Sequence, residues 1–229
     1  MAMKKTLMLL ISMTILFLIA RPYVACGQEM KDTVKLPDPI RKGEVSVEEA
    51  LQQRRSVRKY ADRSLTLQEI SQLLWAAQGI TDSQGLRSAP SAGALYPLDV
   101  YIVTGEVEEL TAGIYKYHPF EHELILLSEG DKRHALCGAA LEQECIRDAP
   151  AVIVLTAVYE RSMKKYGERG VRYSHIEVGC AAQNVYLQAE SLNLGTVFIG
   201  AFHDDEVKKV LNLNKDERPL AIMPVGRIK

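Results

Sequence analysis

"LQQRRSVRKYADRSL" (residues 51–65) places Arg54, Arg55, Arg58 and Lys59 within six residues, with Ser56 among them and no acid before Asp62. Its reading decides the fold, because a nucleic-acid module, a membrane face and a small-anion cradle belong to different architectures. The rest of the chain does not share this charge. Its 229 residues carry 28 basic and 29 acidic side chains, a net charge of -1. Polyanion-binding domains carry a basic excess, so the cluster points to a discrete anion and not to a nucleic acid. Arg54, Ser56 and Arg58 alternate, and alternate residues of an extended chain face the same way. Two guanidinium forks and a hydroxyl on one side suit a phosphate monoester. In that cradle Lys59 is left over, in solvent; the bland alternative is that the whole cluster is a solvated basic surface.

Helices flank the cluster. Ser46-Val47-Glu48-Glu49 is a capping box, and its helix ends near Arg54. Thr66-Leu67-Gln68-Glu69 is a second box, with Leu65 and Ile70 placed as a hydrophobic staple. Ile70, Leu73, Leu74 and Ala77 form one apolar helical face that Gly79 stops. "GITDSQGLRSAPSAGALYP" (79–97) reads as a loop with tight turns.

"LDVYIVTG" (98–105) then reads as a strand and "GIYKYHPFEHELILL" (113–127) as a hairpin. "DKRHALCGAALEQECIRDAP" (131–150) reads as one helix closed by Pro150. "AVIVLTAVY" (151–159) is a continuous apolar run, so a strand buried on both faces. A helix over 174–192, a strand "TVFIGAF" (196–202), a short helix from Asp204 and a strand "PLAIMPVG" (219–226) complete the pattern. Helices and strands mix without strict alternation, which argues α+β with a central sheet flanked by helices. No P-loop and no dinucleotide fingerprint follows a strand.

The N-terminus is read apart from the fold. Lys4 and Lys5 precede an apolar run from Leu7 to Ala20, shorter than a membrane span. This is the pattern of a secretory signal over residues 1–27. Ala25-Cys26-Gly27 allows cleavage before Gln28, and Cys26 also ends a lipoprotein-like box with Tyr23 in an unusual place. An exported, cell-envelope location is the expectation, with any membrane contact made only through an uncleaved or lipidated N-terminus. Residues 28–44, with "KLPDPIRKG", read as a linker, and 45–229 as one domain. Cys137 and Cys145, eight apart on one helix, are too far apart to pair. Cys180 reads as a small core residue, and no set of Cys and His has metal-ligand spacing.

Three further stretches can carry chemistry. "PSAGALYP" offers small residues Pro90, Ser91, Ala92, Gly93 and Ala94, able to lie against a flat ring. "FIGAF" carries Ile199 and Gly200, and a glycine in a strand often marks close approach of a ligand. "MPVGRIK" sets Arg227 after Gly226 at a strand end.

Together with Arg54, Arg55, Ser56 and Arg58, these stretches resemble the FMN-dependent nitroreductase superfamily, and within it the SagB-type azoline-oxidase-like branch. The resemblance covers about Val45 to Arg227. It implies a nitroreductase-like fold with a mainly antiparallel central sheet, and a homodimer. It implies FMN held by Arg54, Arg55, Ser56, Arg58 and Arg227. Pro90, Ser91, Ala92 and Gly93 would pack on the flavin from the partner subunit, with Ala94 where the wider family has Asn. Ile199 and Gly200 would supply backbone N–H near N5. "MKKYGERGVRYSHIEVG" resembles the branch's Lys-Tyr stretch, which implies proton transfer by Lys165 and Tyr166. A desolvated lysine can take a proton from carbon while hydride leaves to the flavin. The alternative for that stretch is a charged loop with surface ion pairs. Two directions stay open: NAD(P)H-driven reduction of nitro compounds or quinones, and oxidation of a heterocycle. A non-catalytic flavin-binding protein is the other class.

Overall fold

The computed structural model describes residues 32–229. The centre of the molecule is β5 (Ala151–Val158), the continuous apolar run. It pairs antiparallel with β2 (Leu98–Thr104) on one side and β7 (Glu217–Arg227) on the other. Beyond β2 lie β3 (Gly113–His118), β4 (Glu123–Glu129) and β1 (Thr33–Lys35); beyond β7 lies β6 (Leu194–Thr196). Among the described residues seven strands run in the order β1-β4-β3-β2-β5-β7-β6, and every pairing between them is antiparallel.

Strand alternation divides β5 between two cores. Ala151, Ile153 and Leu155 join the core under α2 (Leu67–Gln78) and α6 (Arg169–Ser191). Val152 and Val154 join the other, under α3 (Arg133–Ala139), α4 (Glu144–Asp148) and α7 (Asp204–Leu211). Helices therefore cover both sheet faces, as α+β packing requires. The remaining helices are α1 (Val47–Gln53) and α5 (Tyr159–Tyr166).

The capping signals act as read, with one difference. Thr66 and Glu69 close a full reciprocal box on α2. Ser46 caps α1 by accepting the Glu49 N–H at 3.1 Å, but the Glu49 carboxylate accepts from Gln53 and does not reach back.

Four sequence expectations are corrected. The linker over 28–44 is in part structural: Thr33–Lys35 form an edge strand on β4, and Leu36 is buried. Gln72 of α2 clasps the backbone of Ile40, accepting its N–H at 2.7 Å and donating to its carbonyl at 3.0 Å. The helix over 131–150 breaks into α3 and α4, because Leu141 and Glu142 turn left-handed at φ 59° and 57°. Cys137 and Cys145 are still free thiols. The helix over 174–192 begins earlier, at Arg169, after the separate helix α5. The strand over 196–202 stops at Thr196, leaving one isolated bridge between Ile199 and Ile222. The export signal and Cys26 lie outside the described residues.

Candidate functional site

The arginine cluster begins where α1 ends. Arg54 is the C-cap, its backbone already extended at φ -47°, ψ 123°. The chain then runs beside β6, with Ser56 bridged to Thr196 and the Val57 N–H donating to the Thr196 carbonyl at 2.9 Å. This places Arg54 and Ser56 against Tyr186 of α6. The Arg54 guanidinium lies over the Tyr186 ring, 5.0 Å from its centroid. The Tyr186 hydroxyl is 3.0 Å from Ser56 Oγ and accepts the Phe198 N–H at 2.7 Å. One phenol thus joins the cluster, α6 and the stretch that carries Gly200. Among the described residues no carboxylate forms an ion pair with Arg54, Arg55 or Arg58. The positive charge is left for something else.

Not every predicted ligand is free to serve. Arg55 folds back on α1, its Nη1 donating to the carbonyls of Gln52, Gln53 and Arg54 at 2.9, 3.2 and 2.8 Å. Arg58 is exposed, and its charge acts on Tyr60 and Cys145, which belong to the opposite core from Tyr186. Arg227 is engaged elsewhere. Its fork is bidentate on Glu69, with both N–O distances at 3.0 Å, and its Nε donates to the Ser64 carbonyl at 3.1 Å. Gly226 serves packing: a Cβ there would lie 2.6 Å from the Tyr60 ring. Ile199 exchanges both backbone hydrogen bonds with Ile222 at 2.9 Å, so its N–H is occupied. Gly200 is exposed, and its N–H has no acceptor among the described residues.

A second group forms nearer the start of α6. The loop at 90–96 contains a 3-10 turn, Ala92–Ala94, with Gly93, Ala94 and Tyr96 all left-handed at φ 63°, 54° and 46°. Lys165 and Tyr166, in the last turn of α5, pack over Gly93. A Cβ on Gly93 would lie 2.7 Å from Tyr166 Oη and 2.9 Å from Lys165 Nζ. Tyr166 also meets Tyr173 of α6 edge to face, centroids 5.1 Å apart. Arg161 orients α5, donating to both Asp99 carboxylate oxygens at 2.9 Å and to the Tyr96 carbonyl at 3.3 Å. Lys165 itself is exposed on this chain. The single chain thus does not give Lys165 the desolvated setting expected of a proton-abstracting lysine.

Two residues of this architecture carried no motif. Glu177 is 6% exposed and accepts the Ala92 N–H at 2.9 Å. Burial pushes its carboxyl above the usual range, partly offset by the Ala92 N–H and the Ser91 hydroxyl. It borders a pocket of about 270 Å³ with Pro90, Ser91, Tyr173, Ile176 and Cys180. A signal existed: Glu177, Ala181 and Val185 follow the helical period of the buried face, an unusual place for a carboxylate. Tyr186 is the other. The two stand nine positions apart on α6, about 13 Å along the axis at 1.5 Å per residue. The predicted residues therefore divide into a cationic cradle and a loop group.

Comparison with known proteins identifies the family and the fold. The Nitroreductase family model matches residues 51–227. The chain is 47% identical over 200 residues to MJ1384 of Methanocaldococcus jannaschii, provisionally named a nitroreductase, covering 86% of this chain and 98% of that one. It is 28% identical over 165 residues to the microcin B17-processing protein McbC of Escherichia coli, covering 69% of this chain and 59% of McbC. A crystal structure from Ralstonia eutropha, also provisionally named a nitroreductase, superposes with a TM-score of 0.77 at 31% identity, covering 86% and 90% of the two chains. The microcin synthetase McbBCD complex of E. coli shares the fold, with a TM-score of 0.67 at 24% identity over 93% and 84% of the chains.

Proposed function

The chain belongs to the nitroreductase family, and we propose that within it the protein is an FMN-dependent oxidoreductase that works as a homodimer. The observation that carries this reading is the cradle: Arg54 and Ser56, free of carboxylate partners, gathered on Tyr186, whose hydroxyl also holds Phe198 two residues before the open Gly200 N–H. The donor set fits the group. Arg54 and Ser56 suit a phosphate and polyol chain. Gly200 and the small residues at 90–93 suit a flat ring.

When bound, FMN supplies the hydride chemistry, in two half-reactions separated by product release. The chain's own residues hold it, exclude water and move protons. Following the SagB-type reading, Lys165 Nζ takes the proton from a substrate carbon, and Tyr166 Oη stands beside it. The names of two relatives support this reading: McbC is a microcin B17-processing protein and TfxB a trifolitoxin-processing protein. A peptide heterocycle is then the substrate class. The name of the 47% identical relative favours a second reading, reduction of nitro compounds or quinones by NAD(P)H.

Anaerobic reduction of the purified protein separates the two. Loss of the flavin absorption band on adding thiazoline or oxazoline peptides supports the first; loss with NADH or NADPH and transfer to a nitroaromatic supports the second. A colourless protein that takes up no added FMN removes both. Export through residues 1–27 is part of the same proposal. Mass spectrometry of the secreted protein tests it, with Gln28 as first residue or a lipidated Cys26 expected.

A further inference from the structure

We infer that Glu177 is a positioning residue: its buried carboxylate holds the Ser91–Tyr96 turn in a strained form and thereby places Gly93 beneath the Lys165–Tyr166 pair. The inference rests on the proposed proton-transfer role of that pair. Ala94 and Tyr96 are left-handed without being glycine, a conformation that side chains disfavour and that persists only where surrounding contacts over-determine it. The contacts here converge on one carboxylate. Glu177 Oε1 accepts the Ala92 N–H at 2.9 Å, the one hydrogen bond that ties the turn directly to α6 among the described residues. Ser91 Oγ in turn accepts the Tyr96 N–H at 2.9 Å, and the Ala94 N–H closes the turn on the Ser91 carbonyl at 3.1 Å. The start of the turn is thus tied to α6, and its end is tied back to its start.

The turn has a direct reader. Gly93 sits so close to Tyr166 Oη and Lys165 Nζ that a single methyl group would overlap both. Any relaxation of the turn therefore displaces Lys165 and Tyr166, which otherwise end α5 at the surface. A carboxylate buried to 6% exposure without a cationic partner is costly. Its hydrogen bond from the Ala92 N–H is the compensation.

The test compares Glu177→Gln and Glu177→Leu in the full chain. Gln keeps an accepting oxygen for Ala92; Leu keeps the volume and removes the acceptor. Amide hydrogen exchange at residues 92–96 and acetic anhydride labelling of Lys165, both read by mass spectrometry, report the turn and the lysine without turnover. Exposed Lys164 is the internal control. In the Leu variant, exchange and Lys165 labelling should each change by roughly tenfold or more, since a hydrogen bond to a charged group contributes at least that factor. Lys164 should not change, and the Gln variant should stay near wild type. If the Leu variant does not fold, Glu177→Asp, whose acceptor is withdrawn by one methylene, takes its place. Wild-type exchange and labelling in the Leu or Asp variant, or an equal rise at Lys164, would overturn the inference. Failure of wild-type protein to bind FMN would sink the proposed function and leave the labelling result standing.

Discussion

The Tyr186 hydroxyl accepts the Phe198 backbone N–H at 2.7 Å and shares a hydrogen bond with the Ser56 hydroxyl at 3.0 Å. This bond takes Phe198 out of the sheet ladder and ends the β6 strand early. Tyr186→Phe removes one oxygen and strands two polar groups. It should cost about 1–2 kcal/mol of stability and weaken FMN retention together. Urea unfolding and FMN titration of the same variant check both; a stability loss with unchanged FMN affinity would remove Tyr186 from the cradle.

The arginines should not behave alike. Arg54 has no carboxylate partner and stacks on Tyr186, whereas Arg55 is folded onto three carbonyls of α1. Arg54→Ala should weaken FMN binding by about tenfold to a hundredfold, the range of one charge-assisted hydrogen bond. Arg55→Ala should leave binding within about threefold and loosen the end of α1. Fluorescence titration with FMN distinguishes them.

Arg227 is expected to matter for the fold. Its bidentate pair with Glu69 ties the end of β7 to the capping box of α2. Arg227→Ala leaves a partly buried carboxylate and should cost about 1–3 kcal/mol, with FMN affinity little changed. A large loss of affinity at full stability would restore Arg227 as a phosphate ligand.

Much of this was legible in local patterns. The run at 151–158 announced the central strand because both its faces are buried. Thr66 and Glu69 announced α2 because a capping box is written in four residues. The break between α3 and α4 was not legible, since "ALEQE" consists of good helix formers. One contact there is tertiary and invisible locally: Gln143 Nε2 donates to the Ala201 carbonyl at 2.9 Å. Arg54, Ser56, Lys165 and Gly93 were visible as motifs, but their division into two groups depends on Tyr186 and Glu177. Neither stands out as a single letter; each gains its role from partners 85 to 130 positions away.

The clamp that orients α5 predicts a pH dependence. Burial alone would push the Asp99 carboxyl up, but Arg161 and Lys116 together hold it below the usual range. A carboxylate with a lowered folded pKa contributes stability above its unfolded pKa, and loses it as pH falls through the folded value. Wild-type stability should therefore drop in the acid region below about pH 4. Asp99→Asn should be less stable at neutral pH and show a shallower acid slope. Chemical unfolding from pH 2 to 7 reads both.

The division of the predicted residues along α6 leads to a test of the homodimer. If each site joins the cradle of one chain to the loop of its partner, no single chain holds a complete site. Arg54→Ala disables a cradle. Gly93→Val disables a loop, because position 93 is left-handed and a side chain there meets Lys165 and Tyr166. Each variant alone should then bind FMN poorly. Unfolded together and refolded as a mixture, they form mixed dimers in which one site has both lesions and the other has neither. About one quarter of the sites should regain wild-type affinity, as expected for random pairing in a two-fold dimer. If cradle and loop of the same chain form the site, every site in the mixture keeps one lesion and nothing is regained. FMN fluorescence quenching reads the recovered fraction directly, and sedimentation of the mixture confirms the oligomeric state.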